Sequence, residues 1–177
     1  MRNSLRFISF ALTFALSIAM FLLSRQVLAN GQASRGGIAV SGTDADSAAN
    51  LLPASDQLIN PETLVNILKS PKAEKPLILN IGPSLLYIQA HIPGAEYIGP
   101  SADSQGMEAL LKRVKPLPHN KFIVLYCGCC PWNHCPNVRP AWYQLHRAGF
   151  SRVKVLYIPD NLGTDWVYKG YPIAKGQ

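Results

Sequence analysis

The stretch FIVLYCGCCPWNHCPNVRPAW, residues 122–142, decides the fold. Phe122 to Tyr126 is an unbroken apolar run rich in β-branched and aromatic residues, the composition of a strand buried on both faces. The loop leaving it opens on Cys127. Val138 to Ala148 then reads as a helix, closed by Gly149.

The same alternation extends to both sides. Asn60-Pro61-Glu62 is a helix start, with a capping side chain, proline at the first helical position and an acid in the first turn. Leu64, Val65, Ile67 and Leu68 then share one helical face. Pro76 to Gly82 is a short apolar run ended by glycine, a second buried strand. Ser84 to Ala90 reads as a helical turn, His91-Ile92-Pro93-Gly94-Ala95 as a tight turn, and Tyr97-Ile98 as a brief strand. Met107 to Val114 is expected to be helical, Val153 to Ile158 a strand, and Asn161 to Lys169 a final helix. Short apolar strands alternating with helices predict an α/β fold, a central parallel sheet flanked by α-helices. In such sheets reactive groups sit in the loops beyond the carboxyl ends of the strands.

The chain has 177 residues, 48% hydrophobic and 15% charged, enough for one ordinary domain and a tail, and too apolar for a wholly disordered protein. The formal charge is +7. Three of the 17 basic residues, Arg2, Arg6 and Arg25, fall in the first 29 positions, where there is no acid. The remainder carries 14 basic against 10 acidic residues, scattered without a phosphate-tracking stripe. Nucleic acid is therefore not an expected partner, and the mild basicity fits a small anionic substrate.

Residues 1–29 have the parts of a secretory signal peptide: two early arginines, an uncharged stretch from Phe7 to Leu23, and a small-residue exit at Val27-Leu28-Ala29. Uncleaved, the same segment would be a membrane anchor. Either way the expectation is an exported protein, periplasmic or secreted, with a membrane association only if the segment is retained. Residues 30–56 are small, polar and aperiodic, which predicts a flexible tether. The folded unit is expected over 57–177.

All four cysteines lie between Cys127 and Cys135. A disulfide framework spreads its cysteines to tie distant segments; this cluster staples nothing but its own loop, so its role is chemical. Three chemistries fit. A Cys127 thiolate at a strand end, near the positive end of the helix from Val138, suits attack on a sulfur atom of an anionic donor, with Arg139 and His134 adding charge. Cys127 and Cys130 also make a C-x-x-C pair for thiol–disulfide exchange. Cys127, Cys129, Cys130 and Cys135 together offer soft ligands for Cu(I) or zinc, although the spacing lacks two separated pairs.

Several landmarks, in order, resemble the single-domain rhodanese family of sulfurtransferases. They are the strand LILNI, Tyr87 with His91-Ile92-Pro93-Gly94-Ala95, FIVLYC, Ala148-Gly149-Phe150, VKVLYI, and Asp165-Trp166 with Gly170-Tyr171-Pro172. The resemblance implies a central parallel sheet between helices and a persulfide on Cys127, held by main-chain N–H groups and passed to a thiol or another nucleophilic acceptor. It implies no cofactor and no metal. Substrate contacts are then expected from Gly128, Cys129, Cys130, Trp132, His134 and Arg139, with Cys129, Cys130 and Cys135 as resolving thiols. The expected partners are a small anionic sulfur donor and a thiol acceptor or redox partner protein. His91 and Trp166 are expected to be structural, and Trp132 to pack under the loop.

The chain departs from the family twice. Asn80-Ile81-Gly82 stands where the family usually has an Asp and an Arg that pair. The cysteine loop is longer, position 133 is Asn, and Arg139 is the first arginine after Cys127, which removes the phosphate cradle of the rhodanese-related phosphatases.

Overall fold

A computed structural model describes residues 52–176. The expected export segment and the tether as far as residue 51 lie outside the described residues. Five strands, β1 (Leu58–Ile59), β2 (Leu77–Asn80), β3 (Ala95–Tyr97), β4 (Ile123–Tyr126) and β5 (Val153–Leu156), form one sheet in the order β1-β5-β4-β2-β3. Every pairing is parallel, with Leu79 opposite Leu125 and Leu125 opposite Val155. The helices are α1 (Pro61–Lys69), α2 (Ser84–Gln89), α3 (Ser104–Val114) and α4 (Val138–Arg147). Among the described residues no helix is long and apolar enough to cross a membrane.

Strand parity divides the core. Ile123 and Leu125 face α3 and α4, where they meet Leu110, Val114, Ala141 and Leu145. Val124 and Tyr126 face the other way, toward Leu64, Tyr87 and Trp166. All four β4 residues are buried, as a central parallel strand requires. Burying each large side chain contributes on the order of 2 kcal/mol. β4 is therefore the best-anchored strand, and the loop leaving it inherits a fixed origin.

The observed elements differ from the sequence expectations in several places. A 3-10 turn at Ser55–Gln57 reaches into the expected tether, and β3 starts at Ala95, inside the expected tight turn, and ends at Tyr97. β1 is only two residues, too short to show a pattern, and is held by pairing with Val155 and Leu156. α3 begins at Ser104, a turn before Met107, because Gly106 continues the helix: a Cβ there would stand 2.0 Å from the Pro100 carbonyl oxygen, so the glycine marks a close approach and not a break. β5 ends at Leu156, two residues before Ile158. The last helix is a π-helical turn, Gly163–Val167, with Tyr168 N–H donating to the Gly163 carbonyl at 2.8 Å. That wide turn buries Trp166 fully, its indole N–H donating to the Pro172 carbonyl at 2.8 Å. His91 is likewise structural: its ring stacks on Tyr87 at 3.9 Å, and its backbone bridges to Ala174.

Candidate active site

Cys127 follows β4 directly and keeps the parity of Ile123 and Leu125, so its sulfur points to the α4 side of the sheet. It is buried, 4% exposed. Two neighbours from β2 fit it there. Gly82 has no side chain to obstruct it: a Cβ would lie 2.4 Å from the Cys127 carbonyl oxygen and 3.0 Å from its sulfur. Asn80, buried at the end of β2, accepts from the Gly82 N–H at 3.1 Å and donates to the Cys127 carbonyl at 3.4 Å. The residues that depart from the family pattern thus shape the floor beneath the cysteine.

The chain then turns through Gly128 in the left-handed region (φ 85°), a conformation that glycine adopts without strain. The Gly128 carbonyl accepts from Leu162 N–H at 3.0 Å, and Trp132 N–H donates to the Ile158 carbonyl at 2.9 Å. These bonds pin the loop to the chain after β5. Trp132 is half-buried against the core and tilted over Tyr157 at 6.4 Å, the packing role expected of it.

Cys129 and Cys135 gather round Cys127, and the three sulfurs lie within 4.8 Å of one another. Cys129 Sγ is 3.2 Å from Cys127 Sγ. Cys135 is buried and Cys129 exposed. Cys130, the C-x-x-C partner, instead turns its sulfur to Cys129 at 2.9 Å. His134 and Arg139 line a cleft with Asn133, Pro136 and Cys135, so it touches the thiol cluster through Cys135, and His134 pairs there with the Asn133 side chain at 3.0 Å.

Asn137, which the sequence reading passed over, donates from Nδ2 to Cys127 Sγ at 3.4 Å. It stands at the N-cap of α4 but makes no side-chain capping bond. Its Oδ1 accepts from Ala102 N–H at 2.9 Å and its carbonyl from the Ser101 hydroxyl at 2.6 Å. The only sequence signal was its place just before the helix.

The Cys127 thiol is lowered to about 6, chiefly by the Cys135 thiol, then by the Asn137 amide and by the backbone N–H and thiol of Cys129; burial acts against them. The Cys129 and Cys135 thiols are pushed up, Cys129 mainly by burial and Cys135 mainly by donating to Cys127. Of the three, Cys127 is therefore the thiol that ionises first, with Cys129 and Cys135 keeping their protons beside it. The side chains of Cys135 and Asn137 lead this stabilisation and the Cys129 backbone N–H adds to it. The N–H groups of Trp132, His134 and Val138 are bonded instead to the Ile158, Pro131 and Cys135 carbonyls. A buried thiolate with hydrogen-bond donors around it is a nucleophile poised for a soft electrophile such as sulfur.

Residues 60–157 match the sequence profile of the rhodanese-like domain. No curated protein matches the chain. Among solved structures, the BH2092 protein of Bacillus halodurans is 21% identical, over 67% of this chain and 76% of that one, with a TM-score of 0.51. The Alr3790 protein of Anabaena sp. is 22% identical over 67% and 92% of the two chains, with a TM-score of 0.49. An EanB variant carrying a cysteine persulfide, with ergothioneine, is 20% identical over 67% of this chain and 28% of its own, with a TM-score of 0.49. At these identities the likeness is one of fold.

Proposed function

The chain belongs to the rhodanese-like domain family, and from that premise we propose that it is a sulfurtransferase, taking a sulfane sulfur from thiosulfate or a related small anionic donor onto Cys127 and passing it to a thiol or another nucleophile. The observation that carries this reading is the Cys127 sulfur itself. It stands at the end of the central strand, with its thiol lowered to about 6 and Asn137 donating to it at 3.4 Å. The thiolate attacks the outer sulfur of the donor, the donor's S–S bond breaks, and the sulfite-like leaving group departs with the electron pair. The persulfide so formed has a lower pKa than a thiol, and the same donors stabilise it.

Export belongs to the same reading, supported by Arg2, Arg6 and the uncharged stretch to Leu23. An oxidising compartment would draw the close thiols toward disulfides, so activity there calls for a redox partner protein that keeps them reduced.

Intact-mass measurement of the reduced protein before and after thiosulfate tests the reading. The wild type gains one sulfur mass and Cys127→Ser gains none. Equal gain in both would overturn the assignment of Cys127, and no gain from any sulfane donor would overturn sulfur transfer.

The three sulfurs within 4.8 Å also favour a second reading, a soft-metal thiolate site on Cys127, Cys129 and Cys135. Stoichiometric copper or zinc after anaerobic purification, lost in each of the three serine variants, would support it.

A further inference from the structure

The activated sulfur and the accessible sulfur are different atoms. Cys127 is 4% exposed, walled by the Gly82 backbone, the Asn137 amide and buried Cys135. Beside the loop lies a cleft of about 250 Å³, lined among others by Leu86, Gln89, Gly128, Asn161, Leu162 and, of the four cysteines, only Cys129. Cys129 is exposed and its sulfur is 3.2 Å from that of Cys127. An acceptor entering the cleft therefore meets Cys129 first. None of the lining residues is charged, so this cleft favours an uncharged or peptidic thiol acceptor, whereas the separate cleft that carries Arg139 and reaches Cys135 is the one suited to a small anionic donor.

Resting on the sulfurtransferase reading, we propose that Cys129 is the outlet thiol, which takes the sulfane sulfur from Cys127 and delivers it to acceptor thiols too large to reach Cys127. Cys129 Sγ attacks the outer sulfur of the Cys127 persulfide. The new Cys129 Sγ–S bond forms as the Cys127 Sγ–S bond breaks, and the Cys129 proton passes to the departing Cys127 sulfur. The sulfane atom keeps its oxidation state, so no oxidant or reductant enters. The acceptor thiolate then attacks the same outer atom, and the Cys129 Sγ–S bond breaks with its electron pair going to Cys129. The Cys127 thiol returns its proton to that sulfur, which restores the starting Cys127 thiolate. An in-line exchange through one sulfur needs the two Sγ atoms about 4.1 Å apart, twice an S–S bond. From 3.2 Å that is a widening of about 1 Å at a loop that turns on Gly128.

The test separates loading from delivery. Wild type and Cys129→Ser, in which the hydroxyl keeps a donor beside Cys127, are loaded with thiosulfate. Each is then discharged with cyanide or with a blocked, uncharged cysteine pentapeptide while intact mass is followed. Both proteins should reach the same one-sulfur mass gain. Because the Cys129 thiol also stabilises the Cys127 thiolate, each protein's peptide discharge is read relative to its own cyanide discharge. Discharge to the pentapeptide should be roughly tenfold slower or worse in the variant. Wild-type discharge of Cys129→Ser to the pentapeptide would overturn the proposal. So would equal loss of cyanide and peptide discharge, which would make Cys129 a mere support of the loop. A wild type that never loads would overturn the sulfurtransferase reading at the earlier step, so the two failures are read apart.

Discussion

Asn137 and Cys127 are joined by a hydrogen bond whose direction is fixed elsewhere. The amide oxygen is already held by Ala102 N–H at 2.9 Å, so only Nδ2 can face the sulfur, at 3.4 Å. The segment before α3 thus orients the group that stabilises a thiolate at the end of β4.

Asn137→Ala should therefore raise the midpoint of Cys127 alkylation, measured as iodoacetamide rate against pH, from about 6 in the wild type. Losing one hydrogen bond to a charged group amounts to about one pH unit or more. Reactivity rises with pH through the midpoint, because the thiolate is the reacting form. An unmoved midpoint would show that Cys135 and Cys129 suffice.

Gly82→Ala should disable the site by displacement. Its Cβ would press on the Cys127 carbonyl at 2.4 Å and the sulfur at 3.0 Å, both parts of a buried segment that cannot swing aside. The expected cost is about 1–3 kcal/mol by denaturant titration. Sulfur loading should slow by roughly tenfold or more. A variant of native stability and native loading rate would refute the close fit.

His91→Phe should keep the stack on Tyr87 but lose the bond from the ring Nδ1 to the Tyr87 carbonyl at 2.8 Å. Stability should fall by about 1 kcal/mol. The loading rate should not change, since His91 serves the turn before β3 and touches no sulfur.

Much of this arrangement was legible in the sequence. The runs at Leu77–Asn80 and Ile123–Tyr126 read as buried strands because a parallel sheet covered on both faces leaves few polar positions. Pro61 at the first helical position and Glu62 in the first turn marked the start of α1 because such signals are local, although the Asn60 side chain, expected to cap the helix, makes no capping bond. What stayed hidden depends on distant partners. Asn137 looks like an ordinary helix-entry residue until Ser101 and Ala102 arrive beside it from before α3. Gly106 looks like a helix breaker until the Pro100 carbonyl is placed against it. The cysteine spacing offered a Cys127–Cys130 pair, yet the left-handed turn at Gly128 presents Cys129 to Cys127 and leaves Cys130 half-buried against the core, its sulfur on Cys129.

His146 gives a pH-dependent stability of definite sign. Burial against Trp142 at 4.5 Å lowers its pKa below 6.5, and its Nε2 is buried with no partner among the described residues. Below 6.5 the unfolded chain therefore takes up more protons than the folded one, and stability falls as pH falls through that window. Denaturant midpoints measured from neutral to mildly acidic pH should show this slope in the wild type. His146→Gln should flatten it, whatever its own stability, and an identical slope would assign the effect to other groups.

The sharing of protons around Cys127 bears on how easily sulfur can move in this loop. Three sulfurs with two protons between them carry a single negative charge. An atom of sulfur hopping from one to another, with a proton returning the other way, leaves the charge of the pocket constant. Weakly polar surroundings resist the creation of charge far more than its relocation over a few ångströms. Passage from buried Cys127 to exposed Cys129 also carries that charge toward water. The loop is thus isoelectric along its own path and slopes outward, so the donor step and the acceptor step can be separated in time without the protein having to rebuild its interior between them.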